Sequence, residues 1–203
     1  MDRIMVINSS PRAPVSNSQK YSQIFLKYAG ARRQYFRLNR KNHRRLAEKT
    51  RDFDHILLVF PLYADGIPVT LLNFLKIWEE NLPCPRPSVS VMANCGFLEP
   101  RQNDTAVDMV RLFCEKNGLP FASSLKIGGG EAILSTPFSF MARRRIKKLC
   151  RAILRQKPAR IQVTMPLSPR LFAKAADSYW TAYGQKYGTS KEQMQTTDIE
   201  KQS

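Results

Sequence analysis

The chain has 203 residues, of which 43% are hydrophobic and 24% charged, and it carries a formal net charge of +17. These proportions indicate a globular protein that builds its own core, and they exclude a collagen-like chain, a disulfide-stapled mini-protein and a wholly disordered chain. No apolar run approaches the roughly 20 residues that a membrane-spanning helix needs, so we expect no membrane span.

Short apolar runs alternate with helical patterns along most of the chain. In chain order, strands are predicted over residues 3–7, 34–38, 55–63, 88–93 and 121–127. Helical spacing of apolar residues, or a polar helical pattern, predicts helices over residues 21–28, 39–51, 69–80, 105–117 and 146–154. This alternation implies a parallel sheet that is covered by helices on both faces.

The pattern changes after residue 164. Two prolines precede a helical stretch over residues 170–187 that is rich in aromatic residues, and the last fifteen residues are polar and lack an apolar face. We therefore expect three parts: a domain over residues 1–160, a helical extension over 161–188 and a flexible tail over 189–203.

The positive charge is concentrated in two segments. Residues 27–51 hold ten Lys/Arg and one acidic residue. Residues 139–160 hold nine Lys/Arg and no acidic residue, so the rest of the chain is close to neutral. Such segments attract nucleic acid, anionic lipid or another polyanion, or they are solvated helix faces. The second segment surrounds an apolar stripe, which we expect to pack on the sheet rather than on a membrane. Because the first and last helices would share one face of the sheet, we expect the two segments to be neighbours.

The cysteines and the amino terminus indicate a cytoplasmic protein. The four cysteines are dispersed, without a CxxC pair or a Cys/His cluster, which favours free thiols and gives no support for a metal site. The first residues lack the long apolar stretch of a signal peptide. Neither histidine falls at the carboxyl end of a predicted strand, which indicates structural roles for both.

The loop after the first strand has the composition of an anion site. Ligands of open α/β sheets bind at the carboxyl ends of strands. This loop offers hydroxyl, amide and guanidinium groups beside the start of a helix, on Ser9, Ser10, Arg12, Ser16, Asn17 and Ser18. Free N–H groups, a helix dipole and one fixed charge can hold a phosphate. The loop matches neither a Walker A motif nor G-x-G-x-x-G, and the alternative is an ordinary loop with a serine cap.

Two further loops leave the next predicted strands. Residues 61–68 follow the most hydrophobic strand, and residues 94–100 follow the strand after it. Both combine apolar or aromatic residues with glycine, which lets the backbone approach a flat ligand closely. Such groups suit a ring system better than a sugar phosphate, but hydrophobic turns that close the core have the same composition.

Together the three loops resemble those of the flavodoxin-like NADPH-dependent FMN reductases. The resemblance is carried by Ser9-Ser10-Pro11-Arg12 with Asn17-Ser18, by Pro61-Leu62-Tyr63 with Ile67-Pro68, and by Asn94-Cys95-Gly96-Phe97. It covers about residues 3–156. The chain departs from the family's pattern at Ser9, which replaces the first glycine of the phosphate loop, since serine adopts positive φ only at a cost.

The resemblance implies a flavodoxin-like three-layer sandwich, with a five-stranded parallel sheet of order 2-1-3-4-5 and FMN at its carboxyl edge. It implies that the FMN phosphate is held by Ser10, Arg12, Asn17 and Ser18. It also implies that the isoalloxazine is bordered by Pro61, Leu62, Tyr63, Ala64, Asp65 and Gly66. The resemblance also places Asn94, Cys95, Gly96 and Phe97 on the other side of the isoalloxazine.

The implied function is an NAD(P)H-dependent FMN reductase. Hydride would pass from the nicotinamide to flavin N5, and electrons would then pass to a quinone, a nitro or azo compound, a flavin or a protein. Such transfer requires no catalytic acid or base, so none is assigned, and the family implies a homodimer or tetramer. One alternative is a non-enzymatic FMN electron carrier. The high positive charge of the chain argues against this alternative. The other is a nucleic-acid-binding or regulatory protein, for which no helix-turn-helix, RRM or zinc motif is present.

Several residues have two interpretations. Cys95 is either redox active or a buried small residue, and the absence of a second cysteine nearby favours the latter. Asp65 either hydrogen-bonds the flavin or acceptor, or caps the following helix. The aromatic residues of the C-terminal helix either roof the flavin or cap the core, and we expect the core: Trp180, Tyr183 and Tyr187.

Overall fold

The computed structural model of the chain describes residues 3–12, 15–31 and 33–196. Its strands are β1 (Ile4–Asn8), β2 (Arg33–Arg37), β3 (His55–Pro61), β4 (Ser88–Asn94), β5 (Phe121–Ile127) and β6 (Arg160–Val163). Its α-helices are α1 (Asn17–Tyr28), α2 (His43–Lys49), α3 (Val69–Glu80), α4 (Asp104–Lys116), α5 (Ser139–Leu154), α6 (Pro169–Gln185) and α7 (Lys191–Met194). Short 3-10 helices occur at Thr50–Asp52, Pro100–Asn103 and Ile133–Ser135.

The strands form one parallel sheet in the order β2-β1-β3-β4-β5-β6. The predicted order 2-1-3-4-5 is therefore confirmed, whereas the prediction of five strands is wrong. In β6, Ile161 and Val163 are buried while Arg160 and Gln162 are exposed. With only two apolar side chains, β6 lies at the lower limit of the about four to eight alternating residues that indicate a strand, so its sequence signal is weak.

The middle of the sheet is buried on both faces. All five residues of β1 are buried, and residues 56–60 of β3 are fully inaccessible to solvent. Helices α2, α3 and α4 share one hydrophobic cluster with alternate residues of these strands. Helices α1 and α5 pack against each other and cover the other face. Parallel strands covered in this way have continuous apolar sequences, which is why the sequence predicts them well.

The apolar stripe of α5 faces the sheet, as expected. Ala142, Ile146, Leu149, Cys150 and Ile153 are at most 2% exposed. Burying an aliphatic side chain contributes about 1.5–3 kcal/mol, so this stripe fixes the helix firmly on the sheet. The cationic residues of α5 consequently point to solvent.

The crossover connection β5–α5–β6 has the opposite handedness to the connection β3–α3–β4. The connections β3–α3–β4 and β5–α5–β6 step in the same direction along the sheet, but α3 and α5 cover opposite faces. One of them must therefore be left-handed, which is rare for parallel strands. The first four connections share one hand, so the exception is β5–α5–β6. Its consequence is that α5 lies beside α1.

The two basic segments are neighbours only in part. The end of α1, with Lys27, lies beside α5, where Lys147 Nζ is 5.5 Å from the centre of the Tyr28 ring. In contrast, α2 packs against α3 on the other face of the sheet. The expected proximity therefore holds for the end of α1 and not for α2, because α2 lies on the other face of the sheet.

The chain forms two compact units, which divide between Met165 and Pro166. The first contains the sheet and helices α1 to α5. The second contains α6 and α7, which pack against each other where Gly184 meets the Met194 side chain. The division into residues 1–160, 161–188 and 189–203 stays a prediction, and residues 197–203 of the expected tail lie outside the described residues.

Candidate functional site

Four loops leave the carboxyl ends of neighbouring strands at one edge of the sheet. They follow β1, β3, β4 and β5, and we name them the first to fourth loops: residues 9–16, 62–68, 95–99 and 128–132. Since the strands are parallel and adjacent, the loops share this edge. The first three are those that the sequence predicts as a site. The fourth, which begins with three glycines, was not among them.

The described residues at the two ends of the first loop have a defined geometry. Ser16 is the N-cap, and its Oγ accepts a hydrogen bond from the N–H of Gln19 over 3.1 Å. At the other end, Ser9 N donates to Val59 O over 2.9 Å, and Ser10 N donates to the side-chain oxygen of Asn8 over 3.0 Å. An α-helix leaves its first N–H groups without intrahelical acceptors, so the start of α1 presents donors to an anion.

Asn94 joins the first loop region to β4. Its Nδ2 donates to Ser18 Oγ and to Phe60 O, each over 2.9 Å. Because a carbonyl oxygen only accepts hydrogen bonds, the bond to Phe60 fixes which end of the amide carries the nitrogen. Ser18 Oγ is therefore an acceptor in this pair, which leaves its own hydrogen to be donated elsewhere. A phosphate oxygen at the start of α1 would be a suitable acceptor.

Glu131 of the fourth loop contacts two of the predicted phosphate ligands. Its carboxylate lies 3.1 Å from Arg12 Nη1, and its backbone oxygen accepts a hydrogen bond from Asn17 Nδ2 over 3.4 Å. The Arg12 and Glu131 side chains are 58% and 39% exposed, so water screens this ion pair and its contribution to stability is at most about 1 kcal/mol. An anion could therefore displace the carboxylate from Arg12 at little cost.

A buried tyrosine fixes the fourth loop over the first helix. Tyr21 is fully buried, and its hydroxyl donates to Gly130 O over 2.7 Å. Burial raises the pKa of this hydroxyl, and the neighbouring Cys95 and Glu131 raise it further, so the group stays protonated and keeps its role as a donor.

Glycines let the fourth loop pack tightly on the third. A side chain on Gly128 would collide with the carbonyl group of Leu98. A Cβ on Gly130 would lie 3.0 Å from both Asn94 Cβ and Cys95 O. Gly130 N also donates to Cys95 O over 2.7 Å. The three consecutive glycines after β5 are the sequence signal for this close approach.

The second loop contains a strained two-residue turn. Tyr63 and Gly66 exchange N–H···O hydrogen bonds of 3.0 and 2.9 Å, which close a hairpin around Ala64 and Asp65. These two residues have φ of 43° and 56°, a region that costs a non-glycine residue about 1–2 kcal/mol. Such strain is concentrated at ligand sites. Leu62 N donates to Asn94 O over 2.8 Å and ties this loop to the end of β4.

Asp65 does not cap the following helix. The N-cap of α3 is Pro68, and no side chain caps that helix terminus. Asp65 is exposed at the tip of the turn. The capping interpretation of Asp65 is therefore wrong, and its side chain is available to a ligand.

The second and third loops each carry an exposed aromatic ring. Tyr63 is 49% exposed and Phe97 is 53% exposed, and their loops leave strands whose ends pair as Pro61 with Asn94. Nothing lies within 4 Å of where a Cβ on Gly96 would be, so the backbone there faces open space. Exposed rings beside an accessible backbone suit a flat aromatic ligand.

Cys95 lies beneath this surface and has the environment of a structural thiol. It is 4% exposed, and Asn103 Nδ2 donates to its Sγ over 3.2 Å. Burial raises the pKa of the Cys95 thiol, so it is protonated at neutral pH and is a weak nucleophile. This environment agrees with the buried-residue interpretation rather than the redox one.

Other predicted features lie away from these loops. His55 Nε2 is 3.0 Å from Ser90 Oγ near the amino ends of β3 and β4, and His43 is buried in α2. Groups of three or more His, Cys, Asp or Glu that could hold a metal ion are absent from the described residues. The aromatic residues of the C-terminal helix are exposed rather than buried, so the expectation of burial is wrong: Trp180 by 45%, Tyr183 by 39% and Tyr187 by 66%.

A surface cavity beside α2 is a poorer candidate for a ring ligand. It has a volume of about 640 Å³ and its lining includes Phe36, Arg45, Lys49, Arg51 and Asp52. Ligand sites are mostly apolar with a few convergent polar groups, whereas this lining is mostly charged. The carboxyl-edge loops therefore remain the better candidate.

Comparison with known proteins identifies the fold. No protein-family model matches the chain, and no curated protein matches it in sequence. Among solved structures, the Trp repressor binding protein from Bacillus subtilis has a TM-score of 0.60 at 15% identity, covering 72% of this chain and 99% of that one. A flavodoxin from Streptococcus pneumoniae has a TM-score of 0.56 at 14% identity, covering 75% and 99%.

A third similar structure contains a bound cofactor. It is an FMN-dependent NADH-azoreductase from Bacillus anthracis in complex with FMN, with a TM-score of 0.55 at 12% identity, covering 75% of this chain and 99% of that one. At such identities the likeness shows a shared flavodoxin-like fold. Azoreductases, NADPH-quinone reductases and flavodoxins all occur among the structures with this fold.

Proposed function

We propose that the chain is an FMN-dependent oxidoreductase that takes reducing equivalents from NAD(P)H and passes them to a small-molecule acceptor. The observation that carries the proposal is the position of the first loop. It leaves β1, beside β3, at the point where the connections move from one face of the sheet to the other. This switch point is where open α/β sheets bind their ligands.

The phosphate of FMN would be held at the start of α1. Ser10, Asn17 and Ser18 would supply neutral donors, with the free N–H groups of the first helical turn, and Arg12 would supply the positive charge. The donor set fits a phosphate, since the Ser18 hydrogen is left available by the bond from Asn94. Binding would require Arg12 to exchange the Glu131 carboxylate for the phosphate.

The isoalloxazine would lie against the second and third loops. Residues 61–66 would border it with the Tyr63 ring and the exposed Asp65, and residues 94–97 would flank it with the open backbone at Gly96 and the Phe97 ring. Bound FMN supplies the hydride and electron chemistry. The residues of the chain bind and orient it and shield one side from water, and we assign no catalytic acid or base.

We also propose a cytoplasmic homodimer or tetramer with a domain over residues 1–160. Within residues 3–12, 15–31 and 33–196, no helix is long and apolar enough to cross a bilayer. The cysteines are free thiols, with Cys95, Cys114 and Cys150 buried, which suits a reducing compartment. The acceptor would be a quinone, a nitro or azo compound, a flavin or a protein.

The test is titration of the purified protein with FMN, followed by anaerobic addition of NADPH or NADH. Quenching of FMN fluorescence at micromolar protein, with bleaching of the bound flavin by either nicotinamide, is expected. FMN that binds but is not bleached would indicate an electron carrier, the role that the flavodoxin among the similar structures suggests. Absence of FMN binding would overturn the proposal.

A matched pair of arginine variants localises the binding. Arg12→Ala removes a charge-assisted contact, which contributes about 1.5–3 kcal/mol, so FMN affinity should fall about ten- to hundredfold. Arg86→Ala removes an exposed arginine from the turn before β4, at the opposite edge of the sheet, and should leave FMN affinity unchanged. Equal effects of the two variants would show that binding depends on total charge rather than on the first loop.

A further inference from the structure

Helices α1 and α5 form a surface of cations that have no acidic partner. The two helices contain eight Lys/Arg and no Asp or Glu. All eight are exposed, and the ion pairs among the described residues are made by other side chains. We name this surface the basic face: Lys20, Lys27, Arg143, Arg144, Arg145, Lys147, Lys148 and Arg151.

The basic face is unfavourable for the isolated chain. Arg144 and Lys148 are four positions apart on α5, and so are Lys147 and Arg151, so each pair places like charges on one side of the helix. Such like-charged pairs destabilise a helix. A negatively charged surface would remove this repulsion and would gain attraction over the Debye length of about 8 Å at physiological salt.

Helix α6 of the second compact unit is amphipathic, and its apolar side is uncovered. Apolar residues occupy positions 171, 172, 175, 176, 179, 180 and 183, which follow the helical period. Gly184 is the only buried residue of α6. The exposed ring centres are close together, with 5.1 Å between Tyr179 and Trp180 and between Tyr183 and Tyr187. We name this surface the aromatic face: Leu171, Tyr179, Trp180, Tyr183 and Tyr187.

The composition of α6 matches the interface between lipid headgroups and acyl chains. Tyrosine and tryptophan favour that depth because each has an apolar ring and a polar atom. The polar side of α6 carries the cations Arg170 and Lys174. The only acid of α6, Asp177, is paired with Lys191. Amphipathic helices with aromatic residues on one side and cations on the other lie in the plane of anionic membranes.

Two other occupants explain the surfaces less well. A nucleic acid would satisfy the basic face through its phosphates but would need no exposed apolar helix. A second copy of the chain would cover the aromatic face but would leave the basic face without a negative counterpart, because it brings another formal charge of +17 with it. An anionic bilayer satisfies both surfaces.

We propose that the protein binds the surface of anionic phospholipid bilayers. The aromatic face of α6 enters the headgroup and acyl boundary, to a depth of about 5–10 Å, as interfacial helices do. The basic face adds electrostatic attraction. The apolar stripe of α5 takes no part, since it is buried against the sheet.

The fluorescence of Trp180 gives a direct test with the wild-type protein. The chain has two tryptophans, and Trp78 is fully buried whereas Trp180 is 45% exposed. Vesicles of phosphatidylcholine and phosphatidylglycerol should shift the tryptophan emission to the blue, and vesicles of phosphatidylcholine alone should have little effect. Trp180→Phe should abolish the shift while the protein still sediments with the anionic vesicles. An unchanged emission at saturating anionic vesicles would overturn the proposal.

Charge reversals test the basic face by co-sedimentation with the same vesicles. Each basic residue near an anionic surface contributes about 1 kcal/mol, so three reversals should weaken binding by more than about a hundredfold. The variant carries Arg144→Glu, Lys148→Glu and Arg151→Glu.

The control makes the same change in net charge on the other side of the sheet. It reverses three exposed cations at or beside α2: Lys41→Glu, Arg44→Glu and Arg45→Glu. Its binding should weaken much less than that of the α5 variant. If both triple variants lose the same affinity for anionic vesicles, the basic face has no special role, and its part in the proposal is overturned.

Two further outcomes decide between the occupants. Trp180→Ser should reduce vesicle binding several-fold, whereas Leu112→Ser, which removes an exposed apolar side chain from α4, should not. If the wild-type protein is a dimer that Trp180→Ser dissociates, and vesicles are not bound, a second copy covers α6 and the proposal is overturned. It is also overturned if duplex DNA binds at a salt concentration at which anionic vesicles do not.

Discussion

The side-chain amide of Asn94, at the end of β4, donates a hydrogen bond over 2.9 Å to the hydroxyl of Ser18, in the first turn of α1. The same amide donates to Phe60 O in β3, so three elements of the candidate site meet at one side chain. All three elements reach this edge of the sheet. The orientation of the Ser18 hydroxyl consequently depends on a residue that is 76 positions away in the chain.

Asn94→Ala should weaken both the fold and FMN binding. It leaves Phe60 O and Ser18 Oγ without their donor, and an unsatisfied buried polar group costs about 1–3 kcal/mol. Urea unfolding should show a loss of that size, and the FMN titration should show about tenfold weaker binding. Asn81→Ala, which removes a similar amide hydrogen bond at the end of α3, is the control and should leave FMN affinity unchanged.

Glu131→Gln should strengthen FMN binding by a few-fold. The substitution removes the charge that competes with the phosphate for Arg12. Because the ion pair is exposed, the free energy of unfolding should change by less than about 1 kcal/mol. Glu115→Gln makes the same change in an exposed pair with Arg111, away from the site, and should not alter FMN affinity. Weaker FMN binding by Glu131→Gln would mean that the carboxylate helps to hold the cofactor.

Ala64→Gly should raise the free energy of unfolding by about 1 kcal/mol. Its φ of 43° is costly for alanine and free of strain for glycine. The same substitution at Ala152, inside α5, should have the opposite sign, because glycine in a helix interior costs about 1 kcal/mol relative to alanine. Urea unfolding of the two variants measures both effects. Destabilisation by Ala64→Gly would show that the turn is not under strain.

His43 should make the fold less stable in mild acid. Burial lowers the pKa of His43, and its Nε2 is buried without a hydrogen-bond partner among the described residues. The unfolded chain, in which the pKa is about 6.5, therefore binds a proton more readily than the folded one. The stabilisation from neutral His43 is complete above about pH 6.5 and is lost as the pH falls through the lowered folded value.

The measurement is urea unfolding of the wild type and of His43→Gln across this pH range. The variant should lose less stability than the wild type as the pH is lowered from neutral to about 5, since its side chain does not titrate there. Parallel pH profiles of the two proteins would contradict this role of His43.

The sequence predicts the elements whose signals are local. The central strands are continuous apolar runs, and the loops after β1, β3 and β4 contain the polar, glycine and proline residues that end strands. Strand β6 was missed because it has only two apolar residues. The side of the sheet taken by α5 was inferred from the fold resemblance rather than from any residue.

Contacts between distant loops could not be predicted in the same way. Arg12 and Glu131 are 119 positions apart, and Tyr21 and Gly130 are 109 apart. No local pattern links such residues, so the pairing of the Arg12 guanidinium with a carboxylate could not be predicted. The three glycines after β5 indicate a close backbone approach, but not the loop that they approach. The exposed aromatic side of α6 was missed because helical aromatic stripes are usually buried.

The pairing of the first loop with the fourth also sets the order in which the site can form during synthesis. During synthesis, the Tyr21 hydroxyl and the Arg12 side chain find their partners only when residues 130 and 131, which lie 109 and 119 positions later in the chain, have been made. Domains generally fold as units during translation, and long-range contacts form slowly. The first loop therefore reaches its final form only after residues 130 and 131 have been translated, and a nascent chain that ends before them should not bind FMN with high affinity.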